Sequence, residues 1–384
     1  MDRKIPFAKI SISEKEKQLV NEVLESGWLT TGVKTLEFEQ KFGDYINVPF
    51  TCAVSSCTAA LHLGLEALGI GTGDKVFVPS MTFTASAEVV RYLGGDPIFL
   101  DTEYQTNLIT PEILNEAILK YPETKVVIIV HFSGQAARMN EIKEICKNNG
   151  IKILEDAAHA FPTKYDGKYI GNFGDVTCFS FYANKTITTG EGGMLVTFDS
   201  EIYKRVKIMR LHGINRDVWD RFTSDKPSWE YDVVEAGYKY NLPDICAAVG
   251  IGQLEKAELF RKERQKVVEV YYKELSGIIE LDLPICHGDF SDHSWHLFPL
   301  VINENSKISR NEFIERMSEF GIGTSVHYKP LHRMTYYKEE YKLNNDDFPN
   351  AEKTWKGNVT IPLYPFMEEK DFSYICEKIK SIFN

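Results

Sequence analysis

The chain has 384 residues, 43% hydrophobic and 26% charged, which is the composition of a globular enzyme with room for a large core and most naturally two domains. Its net charge of −11, with no block of Lys or Arg, excludes a dedicated nucleic-acid surface. No apolar window approaches the ~18 residues of a membrane span. Met1-Asp2-Arg3-Lys4-Ile5-Pro6 lacks the apolar core of a signal peptide, so a cytoplasmic setting is expected.

In chain order, Ser11-Ile12-Ser13-Glu14 reads as a capping box. The helix after it places Leu19, Val20, Val23 and Leu24 on one face. Seven β-rich apolar runs follow, at 51–55, 75–79, 97–101, 125–131, 152–156, 175–181 and 193–198. They are mostly not alternating, which predicts strands buried on both faces of a helix-covered α/β sheet. Thr58–Leu68 and Met139–Asn149 read as intervening helices, ending at Gly69 and Gly150. Residues 214–236, with clustered Asp, Arg and Trp, read as a long surface or interface loop. Beyond residue 250 the pattern predicts a charged helix over 252–276, strands at 295–302 and 323–328, and helices at 309–320 and 369–383. The expected organisation is a large domain over 13–250 and a smaller α+β domain over 251–384, with residues 1–12 packing on the latter.

Two residues at strand ends carry the chemistry. Asp156 ends the run Lys152–Asp156, and Lys185 follows the run 175–181 in Phe181-Tyr182-Ala183-Asn184-Lys185, just before Thr188-Thr189-Gly190-Glu191-Gly192-Gly193. Open α/β sheets place ligands at the carboxyl ends of their strands. A lysine that can hold an aldehyde as a Schiff base, and an acid that can keep a ring nitrogen protonated, are what pyridoxal phosphate requires. Ser55-Ser56-Cys57-Thr58 carries a strand straight into a helix. The N–H groups of Cys57 and Thr58, with the Ser56 and Thr58 hydroxyls, form a candidate phosphate site, to which Ser180 adds a hydroxyl. Phe83, after the run 75–79, is a candidate to stack on a pyridine ring.

Gly69-Ile70-Gly71-Thr72-Gly73 follows a helix, not a strand, which excludes the dinucleotide fingerprint. The nine histidines show no HExxH or other metal-ligand spacing, and no metal is expected. His293-Ser294-Trp295-His296 alternates along an expected strand, so its histidines would share a face. The seven cysteines contain no CxxC pair and read as small buried residues rather than disulfides.

These segments resemble the DegT–StrS family of sugar aminotransferases. The resemblance rests on Gly27-Trp28-Leu29-Thr30-Thr31-Gly32, the run from Ser55 to Leu61, Glu155-Asp156-Ala157-Ala158-His159, the Lys185 segment, Gly237-Tyr238-Lys239-Tyr240-Asn241-Leu242, Trp295-His296-Leu297-Phe298 and Gly321–Pro330. The Gly-Tyr-Lys-Tyr-Asn stretch is most similar to the UDP-4-amino-4-deoxy-L-arabinose branch. The resemblance implies a pyridoxal phosphate fold-type I homodimer with active sites shared between subunits. It implies glutamate as amino donor and a nucleotide-linked keto-sugar as acceptor, for surface polysaccharide or glycan biosynthesis. It makes Lys185 the Schiff-base lysine and Asp156 the partner of the pyridine nitrogen. Ser56, Cys57, Thr58 and Ser180 become phosphate contacts, Phe83 the ring stack and His159 a neighbour of the ring hydroxyl. Lys239 would reach the partner subunit's phosphate, where many members carry Asn. Trp28, Thr30, Thr31, His327, Tyr328 and His332 would face substrate. Lys185, where dehydrating members carry His, implies amino transfer. Two alternatives stay open: a small phosphorylated ketone such as dihydroxyacetone phosphate as acceptor, and a regulator that binds the cofactor without turnover.

Overall fold

The computed structural model describes residues 4–215 and 231–383. Strands β1 (Phe50–Val54), β2 (Lys75–Pro79), β3 (Asp96–Leu100), β4 (Val126–Val130) and β5 (Lys152–Asp156) are followed by a hairpin of β6 (Lys164–Tyr165) and β7 (Lys168–Tyr169), then by β8 (Val176–Ser180) and β9 (Gly193–Thr197). Seven of them form one sheet in the order β1-β9-β8-β5-β4-β2-β3. The pairings from β3 through β8 are parallel, and β9 runs against both of its neighbours. Each of the seven expected runs forms one of these strands.

The lack of alternation has a simple cause, since alternate residues of each strand enter different cores. Val127, Ile129, Ile153, Phe179 and Met194 pack on one side, with helices α1 (Glu14–Ser26), α2 (Val33–Ile46) and the helix Asp244–Leu254. Val126, Ile128, Leu154, Cys178 and Leu195 pack on the other, against α3 (Cys57–Ala67), α4 (Ala85–Tyr92) and Leu331, Tyr337 and Phe348. Phe42 of α2 is fully buried, with ring centroids 4.9 Å from Phe161, 5.1 Å from Phe179 and 5.5 Å from Phe181. Truncating such a phenylalanine costs about 3–5 kcal/mol, so α2 braces the strand end that leads to Lys185.

A third core joins Val267, Val268 and Tyr271 of the helix Ala257–Leu275 to a three-stranded antiparallel sheet of β10 (Leu281–Asp282), β11 (Phe298–Ile302) and β12 (Asn358–Ile361). Ile5 packs in this core and its N–H donates to Gly321 O.

Several local expectations are corrected. The capping box is Ser13–Glu16, two residues later than read, with the Glu16 carboxylate accepting from the Ser13 N–H. Of the four residues expected on one face of α1, Leu19 and Val23 are buried and Val20 is partly buried, while Leu24 is half exposed. The expected helix over 252–276 is two helices, Asp244–Leu254 and Ala257–Leu275, separated at Lys256, whose ammonium pairs with Glu16. Residues 295–297 are not strand: Trp295 is left-handed at φ 50, and Arg264 donates to the carbonyls of Trp295 and His296. His293 stacks on Trp295 while His296 lies against His159; they share no face, and residues three apart would point to opposite faces of a strand in any case. The run 323–328 makes only one bridge, Ser325 to Thr360, because β12, which the sequence did not disclose, takes the place beside β11. Of the expected loop at 214–236, residues 216–230 lie outside the described residues. The cysteines are free thiols, and no helix among the described residues is long and apolar enough to cross a membrane.

Candidate active site

The carboxyl ends of β2, β5 and β8 and the start of α3 open onto one cavity of about 390 Å³. That is within the usual size of a small-ligand site. Ser56, Cys57, Thr58, Phe83, Asp156, His159, Ser180, Lys185, His327 and Tyr328 all line it, alongside Thr82, Tyr182, Asn184, Glu191 and Gly192.

Lys185 is held by a loop that folds back on β8. Its N–H donates to Tyr182 O at 3.0 Å, Phe181 N–H donates to Gly192 O at 2.9 Å, and Thr189 N–H to Phe181 O at 3.0 Å. The threonine-rich sequence supplies clamps: Thr186 Oγ1 donates to Phe161 O and Thr188 Oγ1 to Phe181 O. Gly193 then starts β9 so close to the start of α3 that a Cβ would stand 2.6 Å from Ser56 O and 2.7 Å from Cys57 N. Only glycine permits that approach. Burial brings the Lys185 ammonium down to about 8, against the opposing pull of Cys57 and Asp156.

Asp156 is almost wholly buried. Its carboxylate accepts from Ser86 Oγ at 2.8 Å and from Ala158 N–H at 3.1 Å. Burial raises its pKa, with Ser86, Ala158 and the nearby Lys185 working the other way. A carboxylate left with so little water favours a cation beside it. Ser86 is itself within 3.1 Å of Thr82 Oγ1. Behind them Glu155 accepts from His131 Nε2 at 2.8 Å, Gly174 N–H at 2.7 Å and Thr177 Oγ1 at 2.6 Å, which satisfies a fully buried acid without bringing it into the cavity.

Ser56 caps α3, accepting from Ala59 N–H at 3.0 Å. The first-turn N–H groups of Cys57 and Thr58 have no intrahelical acceptor and face the cavity end of the helix, an arrangement suited to an anion. The Cys57 thiol approaches Cys178 O at 3.8 Å, and burial raises its pKa well above normal. His159 accepts at Nδ1 from Ser133 N–H at 3.1 Å and meets Tyr328 Oη through Nε2, also at 3.1 Å. Burial, then Lys185 and His327, hold its pKa well below the ordinary histidine value. Phe83 is 57% exposed, an aromatic face left open at the cavity mouth.

The remaining expected site residues are not brought into this cavity. His332 is fully buried, stacked on Phe348 at 4.2 Å and bonded to Glu352 at 2.7 Å, and it does not line this cavity. Trp28, Thr30 and Thr31 lie on a loop pinned to residues 241–244: Trp28 Nε1 donates to Thr31 O, Thr31 Oγ1 to Leu242 O, and Asp244 N–H to Thr30 O. Lys239 is exposed, with its ammonium on Asn241 Oδ1. Sequence reasoning missed Glu191 and Ser86. Glu191 was legible as the acid of the Gly-rich turn, whereas nothing local marked Ser86.

Comparison with known proteins places this geometry. Residues 10–380 match the model of the DegT/DnrJ/EryC1/StrS aminotransferase family. An uncharacterized protein of Methanocaldococcus jannaschii is 42% identical over 98% of the chain and 97% of its own length. The Bacillus subtilis spore coat polysaccharide biosynthesis protein SpsC is 40% identical, covering 98% and 97%. Among solved structures, Streptococcus pneumoniae Spr1654, provisionally assigned as a sugar aminotransferase and solved in PMP and PLP forms, superposes with a TM-score of 0.91 at 32% identity over 99% of both chains in its PMP form. The mixed, mostly parallel sheet is thus that of the fold-type I aminotransferases. The chain belongs to the DegT/DnrJ/EryC1/StrS aminotransferase family.

Proposed function

We propose that this chain transfers an amino group from glutamate to a nucleotide-linked 4-keto-sugar, in the making of a surface polysaccharide or glycan. The UDP-linked 4-keto-pentose whose amination would give UDP-4-amino-4-deoxy-L-arabinose is the first acceptor to test. The observation that carries the proposal is the pairing of Lys185, its amine brought down to about 8, with buried Asp156 in a cavity that ends on a helix N-terminus.

The residues fit pyridoxal phosphate. The start of α3, with Ser56, Cys57, Thr58 and Ser180, would hold its phosphate. Asp156 would hold the proton of its ring nitrogen, Phe83 would cover one ring face, and His159 would lie beside its ring hydroxyl. When bound, the cofactor supplies an electron sink for the charge left as a proton leaves the amino-bearing carbon. Lys185 Nζ, free in its neutral form, takes that proton and returns it one position away. Ser86 and Ala158 fix Asp156 against rotation, and Thr186 and Thr188 keep the Lys185 loop from swinging. Lys239, exposed and outside its own cavity, would reach the partner subunit's phosphate in a homodimer.

The test is to load the protein with pyridoxal phosphate, add glutamate and follow the visible cofactor band, then add the acceptor. Loss of the band with glutamate and its return with a UDP-4-keto-sugar are expected. Return only with dihydroxyacetone phosphate would replace the sugar by a small phosphorylated ketone, and no change with glutamate would leave a regulator.

A further inference from the structure

The contacts of His159 fix where one proton of the cavity points. His159 Nδ1 accepts from Ser133 N–H at 3.1 Å. A ring nitrogen that accepts carries no proton, so the hydrogen of the imidazole sits on Nε2. Nε2 lies 3.1 Å from the Tyr328 hydroxyl, which must then accept. A phenol has one hydrogen, and Tyr328, already accepting from His159, is left with that hydrogen to give. Among the described residues its hydroxyl has no second partner, and its side chain lines the cavity that holds Lys185.

The turn behind this contact is shaped to make it. Ser133 sits at φ 64, a left-handed conformation that costs an ordinary residue of order 1–3 kcal/mol and persists where surrounding contacts enforce it. Gly134 follows at φ 105, where a Cβ would stand 2.1 Å from Ser294 Oγ and 3.0 Å from His159 O. Ser133 Oγ donates to Leu297 O at 2.9 Å and Thr163 Oγ1 to Gly134 O at 2.6 Å, which pins the turn on both sides. Phe83 and Phe132 bracket the Tyr328 ring at 5.8 and 6.0 Å. Burial, with Asp156 nearby, raises the Tyr328 pKa, so the phenol keeps its hydrogen at neutral pH. The depressed His159 pKa keeps its Nδ1 free to accept.

We propose that Tyr328 donates a hydrogen bond to the carbonyl oxygen of the keto compound bound beside Lys185, and that Ser133 N–H and His159 are the positioning groups that aim it. This rests on the aminotransferase reading of the cavity. It assigns Tyr328 a catalytic contact and gives the strained turn at Ser133 a purpose.

Two measurements test it, one of them independent of turnover. In the cofactor-free protein with ¹⁵N-labelled histidine at pH 7, His159, identified by the signals lost in His159→Gln, is expected as a single neutral form protonated at Nε2. A Nδ1-protonated ring or an imidazolium would overturn the aiming chain, whatever the enzyme does. In the loaded enzyme, Tyr328→Phe is expected to lower kcat on the order of 10²-fold, as loss of one donor to a developing oxyanion does, with bound cofactor retained and KM little moved. A kcat within about threefold of the parent would overturn the donor role. His159→Gln, whose amide can accept from Ser133 and donate to Tyr328, should recover most of the kcat that His159→Leu loses. Equal loss in both variants counts against the relay. A parent that transfers no amino group would sink the aminotransferase reading, while the nitrogen spectra would still decide the tautomer.

Discussion

A lysine ammonium ordinarily gives up its proton near 10.5, and burial at the cavity brings Lys185 to about 8. Below that value the amine is protonated and cannot attack; above it the amine is free. The cofactor-free protein should therefore combine with pyridoxal phosphate at a rate that climbs with pH up to about 8 and then levels off, followed by stopped-flow absorbance. A rate still climbing steeply at about pH 9.5 would mean an unshifted lysine. Lys185→Ala should show no such reaction and lose turnover on the order of 10³-fold, the scale of a lost general acid–base and nucleophilic group. Lys185, Asp156 and Ser56 were legible because each stands where a strand ends and a turn or helix begins. Ser86 and Ser133 were not: the first acts on Asp156 from 70 positions away in sequence, and the second acts through its backbone N–H, which no side-chain pattern records. His332 follows the cavity residues closely in sequence but does not line the cavity, because its partners, Phe348 and Glu352, come from a later stretch of the chain.

At the scale of elements, α2 begins without a side-chain cap of its own, since its N-cap is Gly32. Asp244, at the start of another helix, supplies the cap from a distance. Its carboxylate accepts from Gly32 N–H at 2.7 Å, Thr35 N–H at 2.9 Å, Lys34 N–H at 3.1 Å and Thr35 Oγ1 at 2.7 Å. An acid at a helix N-terminus is favoured by both the free N–H groups and the helix dipole. Asp244→Ala should lower unfolding stability by about 1.5–3 kcal/mol, the range for hydrogen bonds to a charged group. Asp244→Asn, which keeps one acceptor, should lose less. Urea midpoints for both variants check this, and equal, negligible losses would show that the cap carries no stability. The same bonds hold the loop of Trp28, Thr30 and Thr31, so KM for the acceptor should rise in Asp244→Ala if that loop meets substrate. Strand positions were readable where separate layers covered both sides of the sheet, as at β4, whose residues are all buried. They failed at 295–297 and 323–328, where Arg264 and β12 claim the backbone groups a strand would need.

For the whole molecule, the exposed Lys239 makes a prediction about assembly. Alone, neither Lys185→Ala nor Lys239→Glu should transfer amino groups well. If Lys239 serves the partner's cavity, mixed dimers of the two variants contain one site with both lysines intact, and unfolding and refolding the variants together should restore activity. Mixtures no more active than the separate proteins would place Lys239 in its own subunit's chemistry or in none. The sequence by itself determined the seven strands, the lysine and acid at their ends, and the helix start that suits a phosphate, because burial on both sheet faces and helix-end chemistry are local and leave local patterns. Only the tertiary structure decided that ten of the expected residues share one cavity while His332 does not. It alone disclosed that Ser86 steadies Asp156, that Asp244 caps a helix some 210 residues earlier, and that Ser133 sets the proton of His159. Hydrogen bonds of this kind are set by where chain segments cross, and a crossing has no signature in the residues on either side of it.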